Sequence, residues 1–146
     1  MKSYRYKLKA EKDTEFTGGK IVKIEDAVDY AMKFYKDDIH LYESCFMILL
    51  DTGNNIIGWA KISQGGISET AVDARLVCKY AIETLCTSVI LVHNHPSGDK
   101  SPSRKDIEMT KKIYHALWYC EIKLADHIIL TEKDWYSFEQ SRGIMF

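Results

Sequence analysis

Val89–Asp106 reads VILVHNHPSGDKSPSRKD. Its apolar start, Val89 to Val92, has the pattern of a buried strand, and it runs out into polar residues at His93. Side chains two apart on a strand point to the same side, so His93 and His95 can address one point in space. Pro96, Gly98 and Pro102 then break the strand and open a loop that holds both prolines of the chain. Beyond it, Ser103-Arg104-Lys105-Asp106 leads into a helical pattern and puts a carboxylate in the first turn. Two imidazoles and one carboxylate make three ligands for a divalent cation. Zinc accepts nitrogen and carboxylate oxygen, and where it is catalytic it keeps a fourth position for water. Each residue has a plainer reading. Ser103 with Asp106 fits a capping box, a strand-end histidine is commonly a satisfied polar group, and a Gly/Pro/Ser loop is commonly a turn. Their conjunction favours the metal.

The spacing His-x-His, seven residues, Ser-x-x-Asp resembles the JAMM (MPN-plus) metalloprotease signature. More narrowly, HNHPSGDKSPSRKD behind a VIL strand resembles the RadC family, once named for DNA repair. The similarity runs from about Ile39 to Ser141. It implies one zinc per chain held by His93, His95 and Asp106, with Ser103 near the reacting oxygen. It also implies a general-base glutamate upstream, and the matching position is Glu43, ahead of an apolar run ending in Leu50-Asp51. Without the resemblance Glu43 is an ordinary strand-end carboxylate. Glu25 and Glu69 are the other candidates, neither in the family's position. RadC members also show an Asp-His pair on a strand, matched by Asp126-His127. Asp126 is expected to hydrogen-bond a ligand imidazole from behind. Where the family has Val-x-Pro-Arg this chain has Val72-Asp73-Ala74-Arg75, losing a proline that stabilises a helix start rather than serving chemistry.

Outward from the motif, Ser3–Lys9 alternates Tyr4, Tyr6 and Leu8 with Arg5, Lys7 and Lys9, which predicts a half-exposed basic strand. Residues 1–24 are read as an N-terminal arm and 25–146 as the RadC-like JAMM domain. From Ile24 to Tyr35, apolar residues recur at helical spacing. Leu41–Asp51 and IIGWAKIS flank Asn54-Asn55, predicting a hairpin whose first strand is buried on both faces. Ser63–Gly66 reads as a tight turn. Thr70 to Asp73 caps a helix running to Leu85, with Ala74, Val77, Cys78, Ala81, Ile82 and Leu85 inward. Ile107, Thr110, Ile113, Tyr114, Leu117 and Trp118 line the next helix, and Lys123–Leu130 is a strand. Trp135, Tyr136 and Phe138 close the chain as a short strand or cover. The order predicts an α/β fold, a mixed β-sheet flanked by helices, which agrees with the JAMM and cytidine-deaminase-like architecture.

A chain of 146 residues is one domain, and 46% hydrophobic with 28% charged residues is ordinary for a globular protein. A net charge of −1 gives no overall pull on a polyanion. Cys45, Cys78, Cys86 and Cys120 lack Cys-x-x-Cys spacing, so reduced buried thiols are expected, not a zinc knuckle. There is no secretory h-region and no membrane span, which predicts a cytoplasmic protein. The motif and resemblance together imply a zinc metallopeptidase acting on a protein or peptide. The alternative is a DNA-associated accessory protein. That reading, a repair or recombination accessory without peptidase turnover, rests on the family's old name and on the basic arm, while Lys100, Arg104 and Lys105 at the loop mouth can steer an acidic partner. The helical DNA-binding module of longer RadC chains is not expected ahead of Ile24. A zinc deaminase is disfavoured because no Pro-Cys-x-x-Cys is present. The oligomeric state stays open.

Overall fold

The computed structural model describes residues 2–66 and 71–142. Helix α1 spans Ile24–Met32 and tightens into a 3-10 turn over Lys33–Tyr35. Strands β1 (Ser44–Leu50) and β2 (Ile56–Gln64) form the hairpin, followed by α2 (Ala74–Glu83) and β3 (Ser88–Asn94). Helix α3 (Arg104–Tyr119) crosses over to β4 (Lys123–Leu130), and β5 (Trp135–Ser137) with α4 (Phe138–Arg142) close the chain. The five strands lie in the order β2-β1-β3-β4-β5. β1 is antiparallel to β2 and β3, β3 and β4 run parallel, and β5 returns antiparallel to β4. This is the mixed α/β sheet that the sequence predicts.

Every residue of β1 and β3 is buried, because helices cover both faces of the sheet centre. Alternation sends Cys45, Met47, Leu49, Val89 and Leu91 to the core shared with α2 and α3. Phe46, Ile48, Leu50, Ile90 and Val92 go to the core under α1. Position 93 follows 89 and 91 in phase, so its imidazole emerges on the α3 side, while Asn94 emerges beneath the segment that follows α1. The sheet's alternation therefore separates the two polar side chains at the end of β3.

Several expectations change in the structure. Residues 3–9 form no strand: Tyr4 and Tyr6 are 74% and 88% exposed, because an alternating pattern without a neighbouring backbone has nothing to pair with. The arm docks only from Asp13 onward, where Trp59 Nε1 donates to the Asp13 carboxylate and Phe16 packs on Phe34 and Trp59. Ser63 and Gln64 are not a turn but the end of β2, and pairing continues past it through Gly65 and Gly66 to Glu43. The α2 cap is Asp73, which accepts the Arg75 backbone N–H, whereas Thr70 and Glu69 lie outside the described residues. Ile82, Leu85 and Trp118 are exposed rather than inward. Leu85 has left the helix with φ of 57°, and Trp118 sits about 100° around α3 from the buried Leu117. Among the described residues no helix is long and apolar enough to cross a membrane. All four cysteines are free, with Cys45 and Cys86 buried.

Candidate metal centre

The site forms where β3 ends and α3 begins. His93 Nε2 lies 3.0 Å from His95 Nε2. His93 Nε2 is 3.2 Å from Asp106 Oδ1, and His95 Nε2 is 3.3 Å from Asp106 Oδ2. A cation with bonds of about 2.0–2.1 Å and tetrahedral angles holds its ligands about 3.3 Å apart. The triangle already has the size that zinc requires. These are also the three side chains among the described residues whose ligand atoms cluster as a metal-binding group.

Two imidazole nitrogens in contact do not stabilise each other unless a cation or a proton lies between them. His95 Nδ1 is 2.7 Å from the Asp99 carbonyl oxygen, which can only accept, so Nδ1 carries the hydrogen of the neutral ring and Nε2 keeps its lone pair. That lone pair faces His93 and Asp106. The donor set, two nitrogens and a carboxylate, matches zinc in chemistry as well as in spacing.

Asp106 is both a helix cap and a ligand candidate at once. Its Oδ2 accepts the Ser103 backbone N–H at 2.7 Å and the Ser103 hydroxyl at 2.7 Å, while Ser103 Oγ accepts the Asp106 N–H at 3.1 Å. The capping box and the candidate metal site are one device, with the box aiming the carboxylate. Burial pushes the Asp106 carboxyl up, but the adjacent His93 and His95 rings and the hydrogen bond from Ser103 outweigh it and hold it well below the usual carboxylate range. Burial is the largest influence on His93 and lowers it. Burial also pulls His95 down, yet Asp106, the Asp99 carbonyl and Glu43 together raise it above its ordinary value.

Glu43 stands just before β1 and is 9% exposed. Its backbone is fixed on both sides: its carbonyl accepts the Gly65 N–H at 2.9 Å, and its N–H donates to the Gly66 carbonyl at 3.1 Å. It lines a cleft of about 770 Å³ together with His93, His95, Ser103 and Asp106. Val72, Met109 and Ile113 give that cleft an apolar wall. Glu25, by contrast, lies in the first turn of α1. At the loop mouth Lys100 pairs with Asp134, and Arg104 pairs with Glu108 at 3.0 Å. Arg75 is tied to Asp73 on the surface.

Behind the ligands the structure corrects one expectation. Asp126 does not address an imidazole. Its carboxylate accepts the Ser137 hydroxyl at 2.6 Å and the backbone N–H groups of His127 and Glu139 at 2.7 and 3.0 Å. The reason is alternation: neighbours on β4 face opposite ways, so only one of Asp126 and His127 can look toward His93. His127 does so, with its Nε2 2.7 Å from His93 Nδ1. Two contributors had no separate signal in the sequence. Thr110 touches His127 from α3, and Asn94, between His93 and His95, holds the segment that carries Glu43.

A mixed α/β sheet with a His-His-Asp cluster at the carboxyl end of a central strand, facing a cleft with a buried glutamate, is consistent with a JAB-type domain. Residues 21–144 match the RadC-like JAB domain family, and the chain belongs to it. It is 44% identical over 97 residues to a UPF0758 protein of Flavobacterium johnsoniae, covering 66% of this chain and 42% of that one. It is 34% identical over 126 residues to a UPF0758 protein of Chlorobium chlorochromatii, covering 86% and 55%. The chain thus spans about half the length of these curated relatives.

Proposed function

We propose that this chain is a zinc-dependent hydrolase of peptide or isopeptide bonds, with one zinc per chain and a protein or peptide as substrate. One observation carries the reading: His93 Nε2, His95 Nε2 and the Asp106 carboxylate converge within 3.0–3.3 Å, in a cleft that Glu43 and Ser103 also line. Zinc bound there would polarise the scissile carbonyl and lower the pKa of a water toward neutrality. Glu43 takes the proton of the attacking water and passes it to the leaving amine, a transfer that its fixed backbone favours. The Ser103 hydroxyl, which donates to Asp106 here, would turn its hydrogen to help hold the developing oxyanion. Val72, Met109 and Ile113 supply apolar contact for the substrate chain. Four unpaired thiols fit a cytoplasmic setting.

The test is Glu43→Gln in zinc-loaded protein, assayed on peptide and isopeptide-linked substrates. The variant is expected to keep its zinc and lose turnover, because it removes the base and no ligand. Undiminished hydrolysis would remove Glu43 from the mechanism, and a wild type that binds no zinc would end the reading.

A further inference from the structure

A line of three hydrogen bonds runs away from the cleft behind His93. His93 Nδ1 meets His127 Nε2 at 2.7 Å, His127 Nδ1 meets Thr110 Oγ1 at 2.6 Å, and Thr110 Oγ1 meets the Asp106 backbone carbonyl at 2.6 Å. The chain joins β3, β4 and α3 and ends on the residue that supplies the carboxylate ligand. All the intermediate groups are buried. His127 is further clamped by Phe138, whose ring lies parallel to it at 4.9 Å between centroids.

The directions of these bonds follow from the end of the line. A carbonyl oxygen cannot donate, so the Thr110 hydroxyl gives its only hydrogen to Asp106. The Thr110 oxygen must then accept, and the hydrogen between it and His127 sits on His127 Nδ1. A neutral His127 has nothing left to donate from Nε2, which accepts from His93. The His93 hydrogen is thereby on Nδ1, and the lone pair of Nε2 points at His95 and Asp106. His127 is fully buried and its two ring nitrogens are taken up by His93 and Thr110, neither of which is a carboxylate that would stabilise a charged ring.

We propose that Thr110, acting through His127, is a positioning residue that selects the metal-binding tautomer of His93. The inference rests on His93 being a ligand, as in the reading above. Thr110 touches no ligand side chain; it supplies the acceptor that makes one orientation of protons cheaper than the reverse. If that acceptor is lost, His127 can carry its hydrogen on Nε2 and donate to His93 Nδ1. The His93 hydrogen then moves to Nε2, the atom that the cation needs bare. The sequence places Thr110 one helical turn after Asp106, which is why its hydroxyl reaches that carbonyl. A purely structural threonine would bond the same carbonyl but would not also receive a buried imidazole.

The test compares Thr110→Val, which keeps shape and loses the hydroxyl, with Thr110→Ser, which keeps the hydroxyl. Nitrogen-15 NMR of the metal-free proteins reads the His93 tautomer directly, and competition with a chromophoric chelator reads zinc affinity. Wild type and Thr110→Ser should show the hydrogen on His93 Nδ1, with zinc affinities within a few-fold of each other. Thr110→Val should move population to the other tautomer and bind zinc roughly ten- to a hundredfold more weakly. A folded Thr110→Val protein with the wild-type tautomer, or with wild-type zinc affinity, overturns the proposal. So does a Thr110→Ser protein that fails like the valine variant. The tautomer measurement needs no peptidase activity, so failure of the hydrolase reading alone would show as normal tautomers and zinc binding without turnover.

Discussion

The Asn94 side-chain oxygen accepts the Ser44 backbone N–H at 2.9 Å, taking the place of a ladder bond where β1 and β3 part. The same amide donates to the carbonyls of Ile39 at 2.7 Å and Tyr42 at 2.9 Å. Three bonds from one buried side chain thus hold the segment on either side of Glu43. His93 and His95 look into the cleft from the strand that sends Asn94 the opposite way. One short strand end orients both the candidate ligands and, through the backbone, Glu43.

Replacing Asn94 with Ala leaves one buried N–H and two carbonyls short of a partner. The expected cost is roughly 3 kcal/mol, read as a lower urea midpoint at unchanged slope. Zinc stoichiometry should survive while turnover falls, because the ligands stay and Glu43 loosens. An unchanged midpoint would mean that the amide holds nothing.

Removing a ligand should have the opposite signature. Elemental analysis of wild-type protein is expected to give one zinc per chain, and His93→Ala, His95→Ala and Asp106→Ala should each lose most of it. Asp106→Ala should also destabilise the start of α3 by about 1 kcal/mol, since it removes half of the capping box. Full zinc occupancy in Asp106→Ala would exclude the carboxylate as a ligand.

Zinc binding should depend on pH in a stated direction. His95 holds its proton above the ordinary imidazole value of 6.5, because Asp106, the Asp99 carbonyl and Glu43 outweigh its burial. Asp106 is ionised throughout, so His95 is the group from which zinc must displace a proton. Affinity should rise about tenfold per pH unit below the His95 value and level off above it. Calorimetry in buffers of different ionisation enthalpy should find about one proton released per zinc on the acid side. No release there would contradict the assignment.

Asp126 should prove structural. Asp126→Ala frees Ser137 and the Glu139 N–H, so faster hydrogen exchange over 137–140 and a lower melting temperature are expected. Zinc affinity should stay within about twofold of wild type, since its carboxylate bonds none of the ligand rings. A large loss of zinc affinity in a folded variant would restore the role first expected of it.

Much of this protein is legible in one dimension because the relevant spacings are short. The i, i+2 phase of His93 and His95 and the i, i+3 cap of Ser103 and Asp106 are local geometry, fixed by the pitch of a strand and of a helix. The continuous apolar runs of β1 and β3 announce central strands because a doubly covered strand has no face left for water. The resemblance to RadC adds Glu43, which no local rule distinguishes from any other strand-end carboxylate. The expected N-terminal strand failed for want of a partner: residues 3–9 alternate as a strand does, yet among the described residues no neighbouring backbone pairs with them.

The order of the amino acids alone singled out the candidate ligand set and the boundaries between strand, loop and helix, since these depend on neighbours a few residues apart. Only the tertiary structure decided which polar groups stand behind that set. Whether Asp126 or His127 faces His93 depends on the register of β4 against β3, and Thr110 reaches His127 only because α3 packs over that strand pair. Such contacts join residues far apart in the chain, and burial makes their bond directions binding by denying them water as a substitute.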